Sequence, residues 1–166
     1  RLPAKQKQQV IGIVDLLQSG KQSNGQHDSG SGGTLILFSG PSGTGKTIAA
    51  EALAEGLGKP LYRIILSQVV TRYIGETEKN LSRIIEAAEA SESILLFDEA
   101  DALFGKRTEI MDVNDRYANT ETSYLFERLE SFDGLAIFTI NLRRNIDKGQ
   151  LSRFHSVVIF SVPYRH

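Results

Sequence analysis

The passage from Thr34 to Leu57 constrains the fold more than any other. A continuous apolar run, TLILFS, breaks into the glycine-rich stretch Gly40-Pro41-Ser42-Gly43-Thr44-Gly45 and then resumes at helical spacing. An uninterrupted apolar run bounded by glycines is the pattern of a strand buried on both faces. Lys46–Leu57 sets Ile48, Ala49, Ala52 and Leu53 on one side of a helix, and Gly58-Lys59-Pro60 ends it. The remainder repeats this alternation. Leu61–Leu66 reads as a second strand. Thr77–Ala90 reads as a helix, with Leu81, Ile84, Ile85 and Ala88 on one face behind Thr77 as N-cap. Ile94–Phe97 is a third strand, Glu121–Phe132 a helix, Leu135–Ile140 a fourth strand and Ser156–Ser161 a fifth. Strands alternating with helices at this spacing predict an α/β fold, a five-stranded parallel sheet with helices on both faces.

Ahead of this core, residues 4–18 carry Val10, Ile11, Val14, Leu16 and Leu17 in a modest helical pattern, giving an N-terminal helix over 1–18. Residues 19–33 hold no apolar side chain and read as a flexible Gly/Ser-rich linker or loop. The core is then 34–163. With 19 Lys+Arg against 20 Asp+Glu, the net charge of -1 offers no general attraction to nucleic acid or anionic membrane, though a local basic patch stays open. The absence of cysteine excludes disulfides, thiolate metal sites and a cysteine nucleophile. His27, His155 and His166 show no metal-ligand spacing. No apolar run approaches the roughly 18–20 residues that span a bilayer. The chain begins at Arg1 rather than Met, which reads as a fragment or a processed form.

Gly40 through Thr47 follows the P-loop pattern of Gly, four residues, Gly, Lys and Ser/Thr, directly after a strand and opening a helix. Gly40, Gly43 and Gly45 let successive N–H groups turn inward on phosphate oxygens, and the helix N-terminus adds its positive end. Lys46 supplies a point charge for β- and γ-phosphates, and Thr47 a hydroxyl for Mg²⁺. The alternative is a glycine turn that happens to end in Lys-Thr. Further on, Ile94-Leu95-Leu96-Phe97-Asp98-Glu99 is an apolar strand ending in two acids, the Walker B arrangement. Asp98 would hold Mg²⁺ directly or through water, and Glu99 would act as general base on the attacking water. An acidic pair at a strand end is, taken alone, more often a solvated turn. On the same sheet as a P-loop it predicts a Mg²⁺-nucleoside triphosphate site, since ligands of open α/β sheets gather at strand C-termini.

Together these motifs resemble the large nucleotide-binding subdomain of an AAA ATPase, the AAA+ branch of hexameric unfoldases and disassembly machines, over roughly Thr34 to Pro163. The resemblance implies a three-layer P-loop NTPase sandwich that binds ATP or ADP with Mg²⁺ and converts ATP and water to ADP and phosphate. It implies a cytoplasmic ring homo-oligomer, a hexamer, working on a polypeptide. Within it, Tyr73-Ile74-Gly75-Glu76 matches the pore loop that grips the polypeptide; the alternative is that Tyr73 and Ile74 cap the sheet edge. Asn141, ending Thr139-Ile140-Asn141, matches the sensor-1 position that contacts the γ-phosphate or the attacking water. Arg153, in Leu151-Ser152-Arg153-Phe154-His155, matches the first arginine finger, reaching a neighbouring subunit's γ-phosphate; the alternative is a surface arginine. Ser156 stands where the family often has a second finger, which leaves Arg153, Arg143 or Arg144 to serve. The helical lid that normally follows the fifth strand is absent from the sequence.

Two other classes compete. Asp98-Glu99-Ala100-Asp101 spells a helicase motif, but Thr139-Ile140-Asn141 stands in place of the Ser-Ala-Thr of those helicases, and the near-neutral charge gives no broad phosphate footprint. A nucleotide-gated scaffold with little hydrolysis would fit the departures at Ser156 and at the lid.

Overall fold

A computed structural model describes residues 33–69, 76–104, 113–141 and 148–161, together with Gln8, Ile11 and Gly12. In chain order the elements are β1 (Thr34–Ser39), α1 (Lys46–Leu57), β2 (Leu61–Ile65), α2 (Leu66–Val69), α3 (Glu76–Ser91), β3 (Ile94–Asp98), α4 (Asp101–Phe104), α5 (Val113–Glu130), β4 (Leu135–Ile140), α6 (Lys148–Leu151) and β5 (Ser156–Ile159). The strands form one sheet in the order β2-β3-β4-β1-β5, and every pairing is parallel.

The two strands without a polar interruption before their last turn, β3 and β4, are buried along their whole length. Their side chains alternate between two separate cores. Ile94, Leu96, Leu135 and Ile137, with Ile36 and Phe38 of β1, meet Ala49, Ala50, Leu53 and Ala54 of α1. Leu95, Phe97, Ala136 and Phe138, with Leu37, meet α3, α4 and α5 on the opposite face. The edge strands are less covered: Tyr62 of β2 and Val157 and Ile159 of β5 are exposed. The expected α/β architecture, a parallel sheet clad on both faces, is what the chain adopts.

Local differences have physical causes. Ile48, expected on the buried side of α1, is exposed, because the stripe of Ala49, Ala50, Leu53 and Ala54 is the one that lets the helix backbone approach the sheet. The helix α3 of the second crossover starts at Glu76, so Thr77 lies inside its first turn, fully buried, rather than at the N-cap. β2 ends at Ile65 and Leu66 opens a short helix, while β3 extends one residue to include Asp98. α5 begins at Val113, well before Glu121, and ends at Glu130 rather than Phe132. Val113–Thr120 carries only Val113, Tyr117 and Ala118 among polar and charged residues, a thin apolar marking for a helix; once the apolar C-terminal half docks, propagation adds turns cheaply. β5 ends at Ile159, although the Phe160 N–H still donates to the Ser39 carbonyl at 2.7 Å. The N-terminal helix and the Gly/Ser-rich stretch fall almost wholly outside the described residues.

Phe138 is the hub of the larger core. Its ring lies 4.8 Å from Phe97, 5.7 Å from Phe126 and 5.2 Å from Phe154, centroid to centroid. Truncating it removes the common partner of three elements. Phe138→Ala should therefore cost about 3–5 kcal/mol, read as a lowered urea midpoint with unchanged slope.

Candidate active site

Register carries the polar residues to one edge. β1 pairs β4 from Thr34↔Leu135 to Ser39↔Ile140, and β3 pairs β4 at Phe97↔Phe138, so Gly40, Asp98 and Asn141 emerge side by side at the C-terminal ends. Backbone bonds close this edge: the Gly40 N–H donates to the Ile140 carbonyl at 3.1 Å, and the Ala100 N–H to the Thr139 carbonyl at 2.9 Å.

The loop from Gly40 to Gly45 needs its glycines for two different reasons. At Gly40 a side chain would collide with the chain just past β5, its Cβ standing 2.3 Å from the Phe160 carbonyl oxygen. Gly45, the cap of α1, has φ of 95°, a left-handed conformation that other residues enter at a cost. Thr44 braces the turn, its hydroxyl donating to the Pro41 carbonyl at 2.7 Å, while Pro41, Ser42 and Gly43 are exposed. The start of α1 has no side-chain cap and no acidic residue in its first turn. That donor set suits an anion, because the first N–H groups of a helix lack intrahelical partners and carry its positive end.

Lys46 opens α1 and is buried. Its ammonium donates to the Gly40 carbonyl at 2.6 Å, to the Pro41 carbonyl at 2.9 Å and to Asn141 Oδ1 at 3.1 Å. Burial pulls its pKa below the usual lysine value, a pull opposed by the charges of Asp101 and Asp98. Asn141 is aimed from behind: its backbone N–H donates to both carboxylate oxygens of Asp101, at 3.1 and 3.0 Å. Thr47 follows in the first turn of α1, half-buried.

Asp98, the last residue of β3, is buried and fully engaged. Oδ1 accepts from the Thr139 hydroxyl at 2.5 Å and from the Glu99 N–H at 3.1 Å. Oδ2 accepts from Arg63 Nε at 2.9 Å and Nη2 at 2.6 Å. Burial pushes the carboxyl upward, but the Thr139 and Arg63 hydrogen bonds, the Arg63 charge and the Glu99 N–H outweigh it and hold Asp98 below its ordinary value of 3.8. Glu99 is exposed with φ of 58°, left-handed for a residue with a Cβ. Thr139 helps hold that conformation, since its Oγ1 accepts from the Glu99 N–H at 3.2 Å. The Glu99 carboxylate accepts from the Ser67 hydroxyl.

The family model of ATPases associated with various cellular activities (AAA) matches residues 36–162. The chain belongs to the AAA family. An uncharacterised AAA family ATPase of Sinorhizobium fredii, y4kL, is 36% identical over 128 residues, which is 77% of this chain and 39% of that protein. Proteasome-activating nucleotidases are also similar. That of Aeropyrum pernix is 37% identical over 101 residues, covering 60% of this chain and 25% of its own length. That of Methanococcus maripaludis is 32% identical over 135 residues, 77% of this chain and 33% of its own. The chain thus spans two fifths or less of the lengths of these curated relatives. Among solved structures, the AAA domain of FIGL-1 in complex with ADP superposes with a TM-score of 0.74 at 21% identity, over 97% of this chain and 53% of that one. At that identity the likeness is one of fold.

Within this AAA domain, Lys46 meets Asn141 and lies within reach of the Asp98 charge, and Glu99, next to Asp98, is held by Ser67. Arg153 is elsewhere: it is exposed, and its guanidinium carbon lies 4.9 Å from the centroid of Phe126 on its own domain. Tyr73, Ile74, Gly75, Arg143 and Arg144 lie outside the described residues. Arg63, Ser67, Thr139 and Asp101 are site residues that motif reading did not single out for these contacts. Arg63 alone left a usable trace, a charge in the middle of the strand LYRII. Among the described residues no helix is long and apolar enough to cross a membrane.

A carboxylate whose folded pKa is depressed stabilises the fold above its unfolded pKa and loses that contribution as pH falls through the folded value. Asp98→Asn should therefore be less stable than the wild-type chain by about 1–3 kcal/mol at neutral pH. The gap should narrow below pH 3.8, measured by urea unfolding across the acid range.

Proposed function

We propose that this AAA domain binds ATP with Mg²⁺ and hydrolyses it, coupling turnover to the remodelling of a polypeptide within a ring of like subunits. One observation carries the reading: Lys46, Asp98, Glu99 and Asn141 lie together at one sheet edge, with the buried lysine ammonium donating to Gly40, Pro41 and Asn141 oxygens that phosphate oxygens can replace. The names of the proteasome-activating nucleotidases and the ADP held by the FIGL-1 domain agree with a nucleotide ligand.

In this reading the N–H groups from Gly40 to Lys46 surround the phosphates and fix their orientation. Lys46 exchanges its carbonyl partners for phosphate oxygens. Asp98 and Thr47 offer hard oxygen ligands to Mg²⁺, the ligand type this ion takes alongside phosphates. The bound ion supplies neutralisation of charge on the β- and γ-phosphates. Glu99 orients a water molecule and accepts its proton, and Asn141 holds that water or the γ-phosphate in line. Arg153 serves a neighbouring subunit. Its exposure, and its place outside the Lys46 cluster, suit a group acting in trans. Tyr73, Ile74 and Gly75 would contact the polypeptide.

ATP hydrolysis measured with Mg²⁺ over a protein concentration series tests this. Specific activity should rise with concentration, and Arg153→Ala should abolish the rise. Lys46→Ala should eliminate nucleotide binding. Glu99→Gln should retain binding while turnover falls about 10²–10⁴-fold. Nucleotide binding without turnover at any concentration would replace this reading with that of a nucleotide-gated scaffold, and turnover that rises on adding RNA would favour nucleic-acid remodelling.

A further inference from the structure

Resting on that reading of the site, the arrangement around Asp98 carries a further step. A carboxylate offers about four acceptor positions, and Asp98 uses all of them inside the protein. On Oδ1, both donors are fixed: Thr139 lies in a central strand and is 1% exposed, and the Glu99 N–H is backbone. On Oδ2, both donors belong to Arg63, whose side chain is 48% exposed while that of Asp98 is 11% exposed. The two oxygens of the carboxylate are therefore held unequally. Thr139 cannot leave without breaking the sheet core, whereas Arg63, half-exposed on an edge strand, can swing into water once another cation takes its place on the buried carboxylate.

We infer that Arg63 is a resident competitor for the metal position on Asp98, seated on the oxygen that a divalent cation or its hydration water must take and displaced when the metal arrives. Asp98 and Arg63 project from neighbouring strands two residues apart in register, since Ile65 pairs with Asp98. The guanidinium therefore reaches forward along the sheet surface to the end of β3. A guanidinium stays charged at any working pH, so the competition is constant rather than gated by protons. While it lasts, the buried carboxylate is paired and no desolvated charge is left alone at the sheet edge. The consequence is a raised threshold for Mg²⁺: the metal has to come with enough binding energy, supplied jointly with nucleotide phosphates, to dislodge a cation already in place.

The test is a Mg²⁺ titration of the full chain at fixed fluorescent N-methylanthraniloyl-ADP, reading the Mg²⁺ concentration at half saturation. Arg63→Gln, which removes the charge and keeps most of the stem, should lower that concentration about fivefold. Arg63→Lys, which retains a charge, should lower it less. An unchanged or higher Mg²⁺ requirement in Arg63→Gln would overturn the inference and make Arg63 a group that positions Asp98 for the metal. A larger effect of Lys than of Gln would overturn it as well. If the wild-type chain binds no ADP at any Mg²⁺ concentration, the nucleotide reading of the site fails and this inference with it. If the wild type binds and only the Arg63 variants fail to shift, the competitor role alone falls.

Discussion

Side chains of β3 and β4 are buried on both faces, so a polar group on these strands can reach a ligand only from their ends. Parallel pairing then decides which ends coincide. With β1, β3 and β4 all running the same way and in register, Gly40, Asp98 and Asn141 are delivered to one rim with no further instruction. An antiparallel arrangement of the same segments would scatter them between two rims. The site is thus a consequence of backbone direction, and the individual hydrogen bonds refine what the register has already brought together.

Because the rim is partly buried, its charges have to be answered before any ligand arrives. Lys46 is answered by two carbonyls and an amide oxygen, Asp98 by a hydroxyl, a backbone N–H and a guanidinium. Among the described residues no buried side-chain polar atom lacks a partner. This self-satisfaction lets a domain with an ionised lysine and carboxylate close together remain folded, since an unpaired buried charge costs several kcal/mol. Its other side is that binding is an exchange of partners rather than the filling of a gap. The backbone of Glu99 adds a second feature: a residue with a Cβ is kept at positive φ while Thr139 and Asp98 hold its N–H from two directions.

Much of this was legible in the residues. β1, α1 and β4 fall where the apolar runs and their glycine boundaries put them, because a strand buried on both faces carries a nearly continuous apolar run whose limits are sharp. The P-loop and the acids at the end of β3 announce themselves by spacing. Less legible was anything that depends on a partner distant in sequence. Ser67 on Glu99, Thr139 on Asp98 and Asp101 beneath Asn141 are short polar side chains whose types are common at strand ends and turns, and only the register shows whom they meet. The polar first half of α5 was unreadable for a different reason, since its helicity owes more to the docked half that follows than to its own composition.

The perch of Arg153 on Phe126 gives the aromatic core an outlet at the surface. Phe126 stacks on Phe138 at 5.7 Å and meets Phe154 edge-on at 5.6 Å, and Phe154 is the residue next to Arg153. Both the backbone anchor of the arginine and the platform for its guanidinium are therefore parts of one rigid cluster. A cation over a ring at an exposed site is held by only about 0.5–1 kcal/mol. Arg153 is in that sense a latch with a stiff hinge and a weak catch: its root is fixed to the centre of the domain, while its tip is released by any contact worth more than a single solvent-exposed stack.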